Sequence, residues 1–183
     1  MSESMVKVVA TPNPDAYMFR VNEALVSSGT YEFTPQDDIS MSPLAEILFE
    51  LKDIALILIT PRFITIRKQS EASWTPLTSR ICDRLVRFLN SSEMAIYEAP
   101  SSSNTVAHND IEKQILELLD EEIRPALAQD GGDVIFRGFE DGVVQLELIG
   151  ACGTCPSSTI TLKQGIQNLL CEEIPEVLAV EAV

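Results

Sequence analysis

Apolar positions along this chain fall into two sets of short periodic runs, with a polar stretch between them. In the first set, Val6 to Val9 reads as a short strand and Tyr17 to Leu25 as another. Between them, two prolines in Thr11-Pro12-Asn13-Pro14-Asp15 deny helix and leave a turn. Ser42-Pro43 has the chemistry of a helix start, with Ser42 as cap and Pro43 at the first helical position. Leu44, Ile47, Leu48 and Leu51 then share one face. Ile54 to Ile59 is continuously apolar and of strand length, and Phe63 to Arg67 follows after Thr60-Pro61-Arg62, which predicts a hairpin. Thr75-Pro76 repeats the cap-then-proline pattern, and Leu77, Ile81, Leu85, Phe88 and Leu89 form a helical stripe ending near Asn90. This first unit reads as a small α+β domain without a catalytic constellation.

Glu98 to Asn109 breaks the pattern: it is small and polar, with Pro100 and no apolar period. It is the expected linker, 98–109, between a domain at 1–97 and a second at 110–183. The one histidine, His108, lies in it and is given no role.

The second set opens with a helix capped by Asn109, with Glu112 in the capping-box position and Ile111, Ile115, Leu118, Leu119 and Ile123 as its apolar stripe. Pro125 is expected to kink or end it. Gln129 to Asp133 is a tight turn, in which Asp130 and Asp133 shape the chain rather than bind an ion. Val134 to Phe139 and Val143 to Ile149 are joined through Asp141-Gly142, a pair suited to the positive φ angles of a type I′ turn. A helix over Ser157 to Leu170 follows, with Ile160, Leu162, Ile166, Leu169 and Leu170 available for burial, and Glu176 to Val183 is a final strand. The predicted fold class is thus two small α+β domains, the second running helix, strand, strand, cysteine loop, helix, strand.

Composition narrows the function. The 183 residues carry a net charge of −15, which repels nucleic acid and anionic membrane surfaces, so neither is an expected partner. From Asn109 onward four basic residues face fifteen acidic ones, so most of the excess sits in the second domain. No apolar run approaches the ~20 residues that span a bilayer. The first residues resemble neither a secretory signal nor a transit peptide, and the expected compartment is the cytoplasm.

Four cysteines in such a chain do not make a disulfide framework. Cys152 and Cys155, however, stand two residues apart where a strand hands over to a helix. Helix N–H groups and the positive end of the helix dipole favour thiolate there, the form that ligates metal or attacks a disulfide. A closed thiolate site for zinc or an iron–sulfur cluster usually takes four ligands. Cys171 follows after a helix that spans on the order of 20 Å at ~1.5 Å per residue, too far to be a third. Cys82 belongs to the other domain and reads as a small buried hydrophobe. Two copies of the chain would complete four ligands by symmetry, and separating them would open the site, which suits a carrier rather than an enzyme. Three other readings stay open: an incidental pair, a bridged zinc site, and a thiol–disulfide oxidoreductase. Against the last, the strand before the cysteines belongs to a hairpin rather than a βαβ crossover. Only about 28 residues follow Cys155, few for a thioredoxin-like fold.

The segments Asp130-Gly131-Gly132-Asp133-Val134, Gly138-Phe139-Glu140-Asp141-Gly142 and Gly150-Ala151-Cys152-Gly153-Thr154-Cys155-Pro156-Ser157-Ser158 resemble the NifU C-terminal domain of Nfu-type iron–sulfur cluster scaffold and carrier proteins. Thr161 to Asn168 and Ile174 to Val177 extend the resemblance. More loosely, Thr11 to Pro14, Ser42 to Ala45, Phe63 to Ile66 and Trp74 resemble that family's N-terminal domain, and Glu32 to Ile39 departs from it most. The resemblance implies a [4Fe–4S] cluster, with [2Fe–2S] as the alternative, held on Cys152 and Cys155 of a homodimer. It implies receipt of the cluster from upstream assembly donors and delivery to apo iron–sulfur client proteins, with no enzymatic activity. Two-domain members are bacterial or mitochondrial. The missing transit peptide favours a bacterial cytoplasm, with a mature mitochondrial matrix form as the alternative. Gly153-Thr154 stands where Thr-Ser is commoner, a change with no chemical reason to abolish binding.

Overall fold

A computed structural model describes residues 6–91, 93–97, 110–153 and 156–183, without the side chains of 156–159. The expected linker, His108 and the Asn109 cap lie outside the described residues. The chain divides into two compact units, Met1–Pro100 and Ser101–Val183. Both mix helix and strand, as the apolar pattern predicts.

The first unit holds an antiparallel five-stranded sheet in the order β1-β2-β5-β4-β3. Its strands are β1 (Val6–Ala10), β2 (Ala16–Val21), β3 (Tyr31–Phe33), β4 (Ile54–Ile59) and β5 (Phe63–Lys68). Helices α1 (Pro43–Phe49) and α2 (Trp74–Ser91) contribute Leu44, Leu48, Leu77, Ile81, Leu85 and Phe88 to the core formed with Phe19, Ile57, Ile59, Ile64 and Ile66. Leu56, Leu58, Met18 and Thr65 are buried as well, which accounts for the unbroken apolar run in β4: a strand buried on both faces has no polar alternate positions. The Ser42 cap forms as expected. Its Oγ accepts from the Ala45 N–H at 3.1 Å and donates to the Ala95 carbonyl at 2.7 Å.

Two expectations for this unit need correction. The strand from Tyr17 ends at Val21, and Leu25 and Val26 reach the core from a loop, with the Leu25 N–H donating to the Pro61 carbonyl. Helix α2 begins at Trp74, not after Thr75, so Pro76 occupies its first turn, where no N–H is needed. Strand β3 is an element the apolar pattern does not predict.

The second unit is a three-stranded sheet, order β6-β7-β8, from β6 (Gly132–Glu140), β7 (Val143–Gly150) and β8 (Ala179–Ala182). One helical rod precedes it: α3 (Asp110–Leu118), a π-helical turn (Leu119–Ile123) and α4 (Arg124–Gln129). Pro125 therefore does not end the helix. It lacks an N–H and crowds the preceding turn, and widening that turn by a residue absorbs the misfit; the Arg124 N–H reaches back five residues to the Leu119 carbonyl. Ile115, Leu119, Ile123 and Leu127 pack from the rod against Val134, Val144 and Leu146 of the sheet and against Ile166 and Leu170 of α5 (Pro156–Glu173). Ile160 is 67% exposed, so it does not join the buried stripe expected for α5.

The β6–β7 hairpin has the expected turn, with φ of 51° at Asp141 and 80° at Gly142. Strand β8 then lies parallel to β7, pairing Val143 with Ala179 and Leu146 with Ala182. The segment β7–α5–β8 is therefore a βαβ crossover. This overturns one ground on which the oxidoreductase was set aside, because β7 is both the second arm of a hairpin and the start of a crossover.

Candidate functional site

The cysteine loop is placed by the two glycines that open β6 and the glycine that closes β7. Gly131, with φ of 76°, turns the chain out of α4, and its carbonyl accepts from the Ala151 N–H at 3.2 Å. Gly132 pairs with Gly150, whose φ of 72° turns the chain out of the sheet. Ala151, Cys152 and Gly153 follow in a turn ahead of α5. Cys152 thus stands between strand and helix, as its position in the sequence predicts. Cys155 lies outside the described residues.

Cys152 is only 2% exposed and belongs to the same apolar cluster as Ile115, Leu119 and Leu170. Gly132 makes this burial possible: a β-carbon there would stand 2.4 Å from the Cys152 Sγ and 2.8 Å from its Cβ. A β-carbon on Gly153 would stand 2.3 Å from the Leu148 carbonyl oxygen. Gly153 is therefore a residue on which the loop's present path depends. Neither contact is visible in the Cys-x-x-Cys spacing. The signal in the sequence is the second glycine of Asp130-Gly131-Gly132-Asp133, which a turn alone does not require.

Asp133 is not simply a turn residue. It is buried at the start of β6, where its Oδ1 accepts from the Val134 N–H at 2.7 Å and the Arg124 Nη1 lies 3.2 Å from both its oxygens. Cys171 is half-buried on α5 beside the core, and Cys82 is half-buried on α2 of the first unit. Among the described residues no three His, Cys, Asp or Glu side chains converge to hold a metal ion, and no helix is long and apolar enough to cross a membrane. Thiolate sulfur is the donor that iron–sulfur clusters and zinc take. The described part of the loop supplies one such donor, facing inward.

The small α+β unit with its cysteine turn between a hairpin and a crossover helix lies within the stretch that matches the NifU-like domain, residues 115–181. The profile described as the N terminal of the scaffold protein Nfu/NifU matches residues 6–92. A human protein named NFU1 iron-sulfur cluster scaffold homolog, mitochondrial, is 42% identical over 176 residues, 94% of this chain and 69% of its own length. The protein of the same name from Drosophila persimilis is 38% identical over 177 residues, 94% of this chain and 63% of its own. This chain therefore spans about two thirds of these relatives. The solution structure of a NifU-like protein from Saccharomyces cerevisiae superposes with a TM-score of 0.49 at 24% identity, covering 54% of this chain and 88% of that one. The chain belongs to the Nfu/NifU scaffold family.

Proposed function

We propose that this protein is an iron–sulfur cluster scaffold and carrier, not an enzyme. Cys152 and Cys155 of two copies hold one [4Fe–4S] cluster as cargo, and the loaded dimer delivers it to apo iron–sulfur proteins after receiving it from an upstream donor. The observation that carries the reading is the cysteine turn between β7 and α5, inside the stretch that matches the NifU-like domain. The names of the human and Drosophila relatives, each an iron-sulfur cluster scaffold homolog, support it. In this reading residues 1–97 and 110–183 are separate domains on a linker at 98–109. A site shared between chains gives up half its ligands when they part, which suits release of cargo. Of the two expected compartments, the relatives' names support the mitochondrial alternative.

The β7–α5–β8 crossover favours one second reading, a thiol–disulfide oxidoreductase using the same two cysteines. Anaerobic purification with iron, sulfide and zinc analysis, an absorption spectrum and gel filtration separates the two. The scaffold is brown, carries about four irons for every two chains, and dimerises on loading. Cys152→Ala and Cys155→Ala each lose the cluster, while Cys171→Ala keeps it. A colourless protein with a reversible disulfide supports the oxidoreductase, and a loaded monomer overturns the shared site.

A further inference from the structure

The Cys152 sulfur faces the wrong way for the task proposed for it. A sulfur bonded to a cluster shared by two chains must reach the surface of its own chain, yet Cys152 is packed in the apolar core and 2% exposed. Something in the fold must make room for it there.

Gly132 and Gly153 make that room. Gly131, Gly142 and Gly150 have positive φ, so the backbone itself calls for glycine at those positions. Gly132 and Gly153 are not among the positive-φ residues. Their lack of a side chain is explained by space alone. At Gly132 the space is filled by the Cys152 side chain, and at Gly153 by the Leu148 carbonyl oxygen. Ordinary contacts between heavy atoms fall near 3.5–4.0 Å, so a β-carbon 2.4 Å from the sulfur cannot be accommodated without moving one of them. The entrance to the turn is also fixed, by Gly150 and by the hydrogen bond from the Ala151 N–H to the Gly131 carbonyl. With the approach set, the cysteine has little freedom other than to occupy the seat or to leave it.

We infer that Gly132, assisted by Gly153, is the positioning residue for Cys152: it forms a seat that holds the sulfur inside the metal-free chain, and the sulfur must leave the seat to bind cargo. This rests on the reading of Cys152 as a cluster ligand for its purpose, though the seat itself can be tested with no iron present. The seat shelters the thiol from oxidants and stray metal while the chain is empty. It also sets a cost on loading that Gly132 controls without touching the cluster.

The test follows alkylation by iodoacetamide of the metal-free full chain, anaerobically and at one pH, with each cysteine read separately by mass spectrometry. Cys82 and Cys171 serve as internal references. Gly138→Ala is the control on the same strand, since a β-carbon there meets only the Gln145 Oε1, at 3.9 Å. In the unaltered chain Cys152 reacts more slowly than the half-buried Cys171. In Gly132→Ala it reacts about tenfold faster, while Cys171, Cys82 and the Gly138→Ala control stay unchanged. An unchanged Cys152 rate in Gly132→Ala overturns the seat. Should Gly132→Ala loosen the whole unit, so that Cys171 accelerates as well, the melting temperature decides. Gly132→Ala then costs less in a Cys152→Gly background, which removes both the Sγ and the Cβ it would meet, than in the unaltered chain, and equal losses in both overturn the proposal. A seat that passes these tests in a protein that never binds iron leaves the positioning intact and removes the scaffold reading.

Discussion

Arg124 Nη1 lies 3.2 Å from both carboxylate oxygens of Asp133, joining the rod's last segment to the first strand of the second unit. The Arg124 Nε is also 2.6 Å from Asp120 Oδ1, an ion pair in distance that is not aligned as a hydrogen bond. Asp120 lies within the π-helical turn and Arg124 directly follows it, so the widening that admits Pro125 also sets where Arg124 points. The two ends of the Asp133 pair differ in exposure, 33% for the arginine side chain and 10% for the aspartate. Removing the arginine leaves a carboxylate in the protein, whereas removing the aspartate leaves a guanidinium that still reaches water and Asp120. Arg124→Ala should therefore cost about 1–3 kcal/mol in urea denaturation, and Asp133→Asn less. Equal costs would remove the asymmetry of burial as the cause.

Gly142 is needed for two reasons at once. Its φ is 80°, and a β-carbon there would stand 2.8 Å from the side chain of Leu178. Its carbonyl also accepts from the N–H groups of Leu178, at 2.7 Å, and Ala179, at 3.2 Å. Gly142→Ala should lose about 1–3 kcal/mol of stability. Gly165 offers the contrast, since it sits inside α5 and a β-carbon there would meet nothing within 4 Å. Gly165→Ala should gain about 0.5–1 kcal/mol from helix propensity. The pair of melts distinguishes a glycine held by geometry from one that is merely tolerated.

Cys82 gives the first unit a pH dependence. Burial pushes its thiol above the ordinary value, and the neighbouring Asp83 charge adds to the rise. The folded chain holds this proton more tightly than the unfolded chain does. The stability it contributes is complete below the ordinary thiol value and is lost as pH rises through the folded one. Alkylation of Cys82 should therefore reach half its maximal rate at higher pH in the folded chain than in urea, and Cys82→Ala should flatten the alkaline fall in melting temperature. Coincident pH profiles in the two states would show that burial does not act on this thiol.

Features written in neighbouring residues were legible from the sequence. Ser42-Pro43 caps its helix, Asp141-Gly142 turns its hairpin, and Ile54 to Lys68 pairs as two strands because each depends on the chemistry of a few adjacent side chains. Features settled by partners far along the chain were not. Ile160 fits the helical period but faces outward. The parallel placement of β8 depends on how α5 crosses the sheet, which periodicity does not encode. Pro125 reads as a helix breaker because the rule is local, while the burial of Ile123 and Leu127 on either side of it keeps the rod intact. At the candidate site the position of Cys152 was legible and its direction was not. Its direction depends on a missing side chain twenty residues earlier, at the start of the strand that pairs with the end of β7.

Because β8 lies beside β7 and not at the tip of a further hairpin, the smaller sheet is finished last. During synthesis the sulfur-bearing turn and its helix leave the ribosome before Ala179–Ala182, the four residues that complete the third row. A nascent chain thus passes through an interval in which Val144 and Leu146 lack their neighbours Val180 and Ala182, while the first unit, all of whose strands precede residue 69, has everything it needs to close. Order of emergence alone makes the earlier half self-sufficient and leaves the half with the paired sulfurs waiting for its final strand.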